Sequence, residues 1–220
     1  MILLILVALT SCTSLQRSPR IYDLEKCPPA KLIGAILKKD LQAVQDLLKR
    51  GWSPNDAPDY DSPLVTAAMV GDASIVRALI EAGADVCRAN VYGNGRRPLN
   101  YACVYGNTAA ARVLLDSGAN VNEGTMEDRP IVYAVMWADE EMLKLILKHK
   151  PTRQSMVVAA RIAEERQRND AFTIIIEALN GGSVPKNVDF RNWLEHVIQC
   201  DCWPIQSWEK EFYEIEVDQN

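Results

Sequence analysis

The chain repeats itself, and this repeat constrains its fold more than any other feature. Residues 63–71 (PLVTAAMVG) return as residues 98–106 (PLNYACVYG), and residues 81–86 (EAGADV) return as residues 116–121 (DSGANV). A period in the thirties is typical of stacked helical hairpins, in which each unit buries its apolar face against its neighbours. The sequence therefore predicts an all-α array.

Each repeated unit has the pattern of two short helices, each ended by a glycine. Pro63 suits the first helical turn, where its missing N–H costs nothing. Gly71 ends the first helix and Gly83 ends the second, since glycine adopts the left-handed cap without steric cost. In the second helix, four apolar residues recur on one helical face. They are Ile75, Val76, Leu79 and Ile80.

These motifs resemble the ankyrin repeat, whose units combine a TPLHxAA run, a glycine, a VxxLL run and a GADVN ending. The resemblance covers about residues 30–180 and implies a solenoid of four to five helical hairpins. A degenerate copy begins near Leu32. It is followed by copies at about 56–87, 88–122 and 123–152, and by a fifth from Val157 to Leu179.

The two ends of the array depart from the repeat. Ala138 and Lys150 stand in the fourth copy where glycines are expected, and the charged run at 164–168 indicates longer helices in the fifth. We place the repeats at 30–182. Residues 183–220 are predicted to form a C-terminal helical cap, because a terminal repeat would otherwise expose its apolar face. A second partner-binding element is the alternative for this segment.

The N-terminus has the pattern of an exported lipoprotein. Residues 1–9 form an apolar core too short to span a bilayer, and they lead into Leu-Thr-Ser-Cys12. This resembles the lipobox of bacterial lipoproteins, which implies a signal peptide at 1–11, lipidation of Cys12 and a polar tether at 12–29. In such lipoproteins an aspartate after the lipidated cysteine is linked with retention at the inner membrane. This chain has Thr13 there, so the resemblance favours the outer membrane, facing the periplasm. No Lys or Arg precedes the apolar core, unlike most signals; the alternative is an uncleaved apolar N-terminus.

Composition and motifs give no sign of chemistry. The net charge of −5 argues against a nucleic-acid partner. The chain has no Gly-x-Ser-x-Gly elbow, phosphate loop or HExxH helix, and only two histidines. We therefore expect no enzyme activity, no cofactor and no metal. Export would leave five cysteines in an oxidising compartment, an odd number whose pairing stays open. They are Cys27, Cys87, Cys103, Cys200 and Cys202.

In the third and fourth copies, aromatic residues recur at the positions flanking the small pair of the first helix. Tyr101 and Tyr133 are 32 residues apart, and so are Tyr105 and Trp137. Such positions point to the concave face of an ankyrin array, so the resemblance implies a groove of stacked aromatics; packing as core is the alternative. Aromatics and methionine are enriched at interface centres. The candidate partner-binding residues are Tyr101, Tyr105, Tyr133, Met136, Trp137, Tyr92, Arg96, Arg97 and Met69.

The combination of a lipobox and an ankyrin array resembles the immunity proteins encoded beside phospholipase toxins of type VI secretion systems. This resemblance implies a non-catalytic, lipid-anchored envelope protein that binds a lipase effector and neutralises it. Two alternatives remain: an envelope scaffold or chaperone lipoprotein, and a cytosolic ankyrin adaptor whose N-terminus is not a signal.

Overall fold

The computed structural model describes residues 28–56, 62–90 and 95–179. Within these ranges the chain forms ten α-helices, one 3₁₀ helix and no strand, which confirms the all-α repeat architecture. The α-helices pair into five hairpins, repeats 1 to 5. They are α1 (Pro28–Leu37) and α2 (Leu41–Lys49), α3 (Pro63–Val70) and α4 (Ala73–Glu81), α5 (Pro98–Val104) and α6 (Thr108–Asp116), α7 (Pro130–Trp137) and α8 (Glu140–Lys148), and α9 (Arg153–Glu165) and α10 (Asn169–Leu179).

The helix starts follow from capping side chains in the sequence. The Asp72 carboxylate accepts hydrogen bonds from the backbone N–H of Ser74 at 2.9 Å and of Ile75 at 3.2 Å, at the start of α4. Asp40 and Asp139 cap α2 and α8 in the same way. These side chains satisfy N–H groups that would have no partner within the helix. The capping aspartate therefore sets where the second helix of each of these repeats begins.

The helices of the fourth repeat end without the glycines that the repeat pattern predicts. Gly71 and Gly83 are left-handed, with φ of 81° and 91°. Lys150 is also left-handed, at φ 56°, so the predicted cap forms at the backbone cost of a non-glycine residue. Ala138 instead ends α7 in an extended conformation, at φ −97° and ψ 178°. Repeat 4 therefore keeps the left-handed end of its second helix, whereas its first helix ends in an extended residue.

The core is a continuous column between the helices of successive repeats. First helices pack on first helices, and second helices pack on second helices, along the whole described array. Ala67, Ala102 and Ala134 are at most 1% exposed, and their small size lets neighbouring helices approach closely. Leu64 is also fully buried. Of the apolar face predicted for the second helix, Leu79 is fully buried, whereas Ile80 is only partly buried against the core.

Asparagine side chains tie the turn of one repeat to the turn of the next. Asn55 accepts from the N–H of Asp85 at 2.9 Å and donates to the carbonyl of Gly83 at 2.8 Å. Asn122 makes the equivalent pair of bonds 67 residues later, to Thr152 and Lys150. These side chains bridge backbone groups of adjacent repeats, so they fix the stacking register.

The fifth repeat is longer than the others. Helix α9 has 13 residues and α10 has 11, against eight and nine in repeat 4, as the charged run at 164–168 predicts. Arg168 joins it to repeat 4 by donating to the carbonyls of Ala138 at 2.8 Å and Met136 at 3.4 Å. The array begins at Pro28, two residues before the predicted boundary. The predicted cap at 183–220 lies outside the described residues.

Candidate protein-binding surface

The exposed large apolar side chains lie at one end of the first helices. Among the described residues, Leu37, Tyr105 and Trp137 are the large hydrophobics that remain exposed, at 51%, 47% and 56%. Leu37 and Trp137 are the last residues of α1 and α7, and Tyr105 directly follows α5. Solitary exposed apolar residues are ordinary on a protein surface, but their grouping at one end of the first helices indicates a common surface.

Backbone hydrogen bonds define the register of this surface. Each first helix carries a buried alanine whose carbonyl accepts a bond from the end of the helix, at 2.8–3.1 Å. The residue three positions after that alanine occupies the same place in every repeat. We call these five residues the row: Lys38, Val70, Tyr105, Trp137 and Arg166.

The row has an apolar centre and basic ends. Tyr105 and Trp137 belong to first helices that pack directly on each other, and packed helices lie about 8–10 Å apart. Val70 is half-buried, whereas Lys38 and Arg166 are exposed. Tyrosine, tryptophan and arginine are the residues most enriched among binding hot spots. The row therefore offers two adjacent aromatic rings, flanked by positive charge, to a partner.

Tyr133 does not form part of this exposed surface, and its role in partner binding stays a prediction. It is 4% exposed, and the Arg96 guanidinium lies 5.0 Å from its ring centroid. Its hydroxyl donates to Asp128 at 2.6 Å and accepts from the Arg96 guanidinium at 2.8 Å. Burial, together with the bond to Asp128, raises the pKa of the Tyr133 phenol. The alternative of core packing holds at this position.

Tyr101, at the same register in repeat 3, is partly buried. Its hydroxyl accepts a bond from the side-chain amide of Asn90 at 3.0 Å, and Asn90 is itself 3% exposed. The predicted groove is therefore not open at Tyr101 and Tyr133. The aromatic pair that remains exposed is Tyr105 and Trp137.

The other candidate residues fall into three groups. Met69 and Met136 are partly buried beside the row. Arg96 and Arg97 are partly buried in the turn before α5, where the Arg96 guanidinium lies 5.0 Å from the Tyr133 ring centroid and Arg97 contacts Glu123 at 2.7 Å. Both arginines thus have structural partners. Tyr92 and Cys12 lie outside the described residues.

A polar network missed by the sequence reasoning supports Tyr133. A short 3₁₀ helix, Met126–Asp128, precedes α7 and brings Asp128 to the Tyr133 hydroxyl. The buried Asn100 side chain donates to the backbone carbonyl of Asp128, which links repeat 3 to repeat 4. The polar residue Asn100 inside an otherwise apolar first helix is the sequence signal that could have indicated this contact.

The two described cysteines differ in environment. Cys103 is fully buried, as predicted for a residue in the alanine-pair position, and burial strongly raises the pKa of its thiol. Cys87 is exposed, and both are free thiols. Desolvation, followed by Glu123 and Asp85, raises the pKa of the Cys87 thiol as well. Neither thiol has the low pKa of an activated nucleophile.

The described residues contain no group of three or more metal-binding side chains. No helix among them is both long and apolar enough to cross a membrane. A cavity of about 310 Å³ between α8 and α10 is lined by Arg168 and the acidic residues Asp139, Glu140 and Asp170, among others. Asp139 caps α8, and Arg168 bonds to the carbonyl of Ala138 in repeat 4. These two side chains of the cavity lining therefore serve to hold the fold together.

Comparisons with known proteins agree with this architecture. A family model described as ankyrin repeats (3 copies) matches residues 32–125 and 90–160, which together make up more than half of the chain. An ankyrin repeat protein of Rickettsia bellii (strain RML369-C) is 31% identical over 88 residues, which are 39% of this chain and 12% of that protein. Ankyrin repeats bind other proteins and typically act as non-catalytic scaffolds. The chain belongs to the ankyrin-repeat family.

Proposed function

We propose that this protein is a lipid-anchored immunity protein of the bacterial envelope, which binds a secreted phospholipase toxin through the row and neutralises it. The observation that carries the binding is the exposure of Tyr105 and Trp137, at 47% and 56%, at equivalent places in adjacent repeats. Burying two such rings in a partner supplies apolar area at low entropic cost, because the helices already hold them in place.

The row suits protein recognition better than catalysis. Besides the Tyr105 phenol, the ionisable side chains of the row are Lys38 and Arg166, and the row contains no carboxylate, histidine or thiol. Tyr105 and Trp137 contribute contact area and hydrogen-bonding edges. The basic ends would orient a partner by charge and accelerate its association, while the aromatic centre would supply affinity.

The envelope part of the proposal rests on the sequence around Cys12. An apolar run followed by Leu-Thr-Ser-Cys12 matches the lipobox pattern. In this proposal the lipid holds the array at the periplasmic face of a membrane, outer membrane favoured, where an incoming phospholipase reaches its substrate. Radiolabelled palmitate should label the wild-type chain and not the Cys12→Ala chain. A mature protein that retains Met1 would contradict lipid anchoring, and would favour the cytosolic adaptor.

The toxin part of the proposal is tested by gene context and by toxicity. We expect a phospholipase gene beside the gene for this protein. Expression of that phospholipase in the periplasm should kill cells, and co-expression of this protein should restore growth. The Tyr105→Ala/Trp137→Ala chain should fail to protect at an equal protein level, whereas Arg77→Ala, on the exposed side of α4, should protect. Killing that this protein does not relieve would contradict immunity. Recovery of resident envelope proteins without any toxin would favour the scaffold.

A further inference from the structure

The charges around the row define what can occupy it. Lys38 and its neighbour Lys39 are exposed at one end, and Arg166 is exposed at the other. Several carboxylates lie close to row positions along the chain and are already engaged: Asp40, Asp72 and Asp139 cap second helices, Glu140 contacts Lys144, and Glu165 contacts Arg161 at 3.6 Å. An occupant that matches this surface is therefore an acidic segment that also carries apolar and aromatic side chains.

The chain itself contains such a segment. Residues 203–218 (WPIQSWEKEFYEIEVD) hold four aromatic residues within 16 positions. They also hold five carboxylates and one lysine, a net charge of −4 in a chain whose total is −5. Aromatic and acidic residues both occur within this segment, so it offers rings to the centre of the row and carboxylates to its ends. Its composition complements the row in both respects.

The connecting chain is long enough to bring the segment to the row. Residues 180–202, which separate α10 from the segment, number 23 and span at most about 80 Å when extended. The aromatic centre lies one and two repeats back from α9, and successive packed helices are about 10 Å apart. A return path of roughly 20–30 Å is well within this reach.

We propose that residues 203–218 dock on the row within the same chain and compete with the external partner. Docking joins the carboxylates of the segment to Lys38, Lys39 and Arg166, and places its aromatic residues against Tyr105 and Trp137. The tether makes the contact intramolecular, so a weak interaction suffices to occupy the row. Partner binding must displace the segment, which lowers the apparent affinity by the fraction of chains in which the row is open. This inference uses the row of the proposed function, and it does not require the partner to be a phospholipase.

A photocross-linking experiment on the full chain tests the docking. The photoreactive residue p-benzoylphenylalanine replaces Tyr105 or Trp137, both of which are exposed, and the irradiated protein is digested and analysed by mass spectrometry. We expect cross-links from either position to peptides within 203–218, at the mass of a single chain. The same probe in place of Arg77, on α4, is the matched control and should give at most one tenth of that yield.

A charge-reversed chain separates specific docking from chance contact. Glu209→Lys/Glu211→Lys/Glu214→Lys should reduce the cross-link yield at least fivefold, and high salt should reduce the wild-type yield, because screening weakens exposed charge pairs. The proposal is overturned by an absence of cross-links to 203–218, by cross-links found only between two chains, by equal yield at Arg77, or by a yield that charge reversal leaves unchanged. If cross-linking succeeds and no phospholipase binds, the docking stands and the immunity function fails.

Discussion

The backbone N–H of Asp85 donates to the Oδ1 atom of Asn55 at 2.9 Å, across the boundary between repeats 1 and 2. Thr152 donates to Asn122 at 2.7 Å across the boundary between repeats 3 and 4. Between them, Cys87 occupies the asparagine position, and the backbone of Asn120 is among the groups that act on the pKa of its thiol. One of the three equivalent positions thus carries a sulfur, which is a weak acceptor and cannot supply the donor of an amide.

Cys87→Asn should stabilise the protein. The new amide would accept from the Asn120 N–H and could donate to the carbonyl of Gly118, as Asn55 does to the carbonyl of Gly83. A net hydrogen bond contributes about 1 kcal/mol, so we expect the free energy of unfolding to rise by about 1 kcal/mol in a urea titration. Cys87→Ala is the control, since it removes the thiol without adding an amide. Equal stability of the asparagine and alanine variants would contradict the proposed equivalence.

Tyr133→Phe should destabilise the protein although it removes a single oxygen. The buried hydroxyl bonds to the charged groups of Asp128 and Arg96, and hydrogen bonds to charged groups contribute about 1.5–3 kcal/mol. We expect a loss of about 2 kcal/mol in the free energy of unfolding, measured by urea denaturation. Tyr105→Phe provides the control, because Tyr105 is exposed and should change stability by less than about 0.5 kcal/mol. Similar losses in the two variants would mean that Tyr133 is not held as described.

Gly71→Ala should cost more than Gly83→Ala, although both glycines are left-handed. At Gly83 an added Cβ meets nothing within 4 Å, so the cost is the backbone strain of about 1 kcal/mol. At Gly71 the Cβ would overlap the Asn107 side chain, which donates to the carbonyls of Ala68 and Met69, both at 2.8 Å. Displacing that amide removes both bonds, so we expect a loss of about 3 kcal/mol by thermal or chemical denaturation.

A double mutant checks the cause of this difference. When Asn107→Ala is already present, adding Gly71→Ala should cost about the same as Gly83→Ala, because the overlap has been removed. If Gly71→Ala still costs about 3 kcal/mol in the Asn107→Ala background, overlap with the Asn107 side chain is not the cause of the loss.

The two described thiols should differ in their rate of alkylation, Cys87 reacting in the native protein as the pH rises and Cys103 only on unfolding. The thiolate is the reactive species, and burial beside Glu123 and Asp85 raises the pKa of Cys87 above its ordinary 9.0. Native-state alkylation of Cys87 by iodoacetamide should therefore be slow at pH 7 and still increase as the pH rises past 9. Cys103 should react only when the protein unfolds, because it is fully buried. Peptide mass spectrometry reads both sites, and native-state labelling of Cys103 at neutral pH would contradict its burial.

The repeat made most of the fold predictable from the sequence. The hairpins, the glycine ends and the buried alanines follow from local patterns that recur in each copy. The cap at Lys150 was harder, because its left-handed conformation depends on tertiary stacking and on Asn122, which bonds to the Lys150 carbonyl from the preceding repeat. The intrinsic φ preference of lysine therefore does not predict the left-handed conformation of Lys150.

The surface was only partly predictable, because equivalent repeat positions do not have equivalent surroundings. Tyr101 and Tyr133 share a register, yet Tyr133 is buried and its hydroxyl bonds to Asp128, in a 3₁₀ turn that belongs to its own repeat. The turns between repeats vary in length and sequence, so the repeat template carries no information about what they cover. Tyr105 and Trp137 lie at the opposite end of the first helices, away from these turns, and both remain exposed.

The most direct test of the account is calorimetric titration of the cognate phospholipase into the wild-type chain and the Tyr105→Ala/Trp137→Ala chain. Two hot-spot side chains contribute about 2 kcal/mol or more each, so we expect the double substitution to raise Kd at least 100-fold. The melting temperature should change by no more than a few degrees, since both side chains are exposed. An unchanged Kd, or a loss of binding that accompanies a fall in melting temperature of more than about 10 °C, would contradict the claim that these two residues form a binding surface.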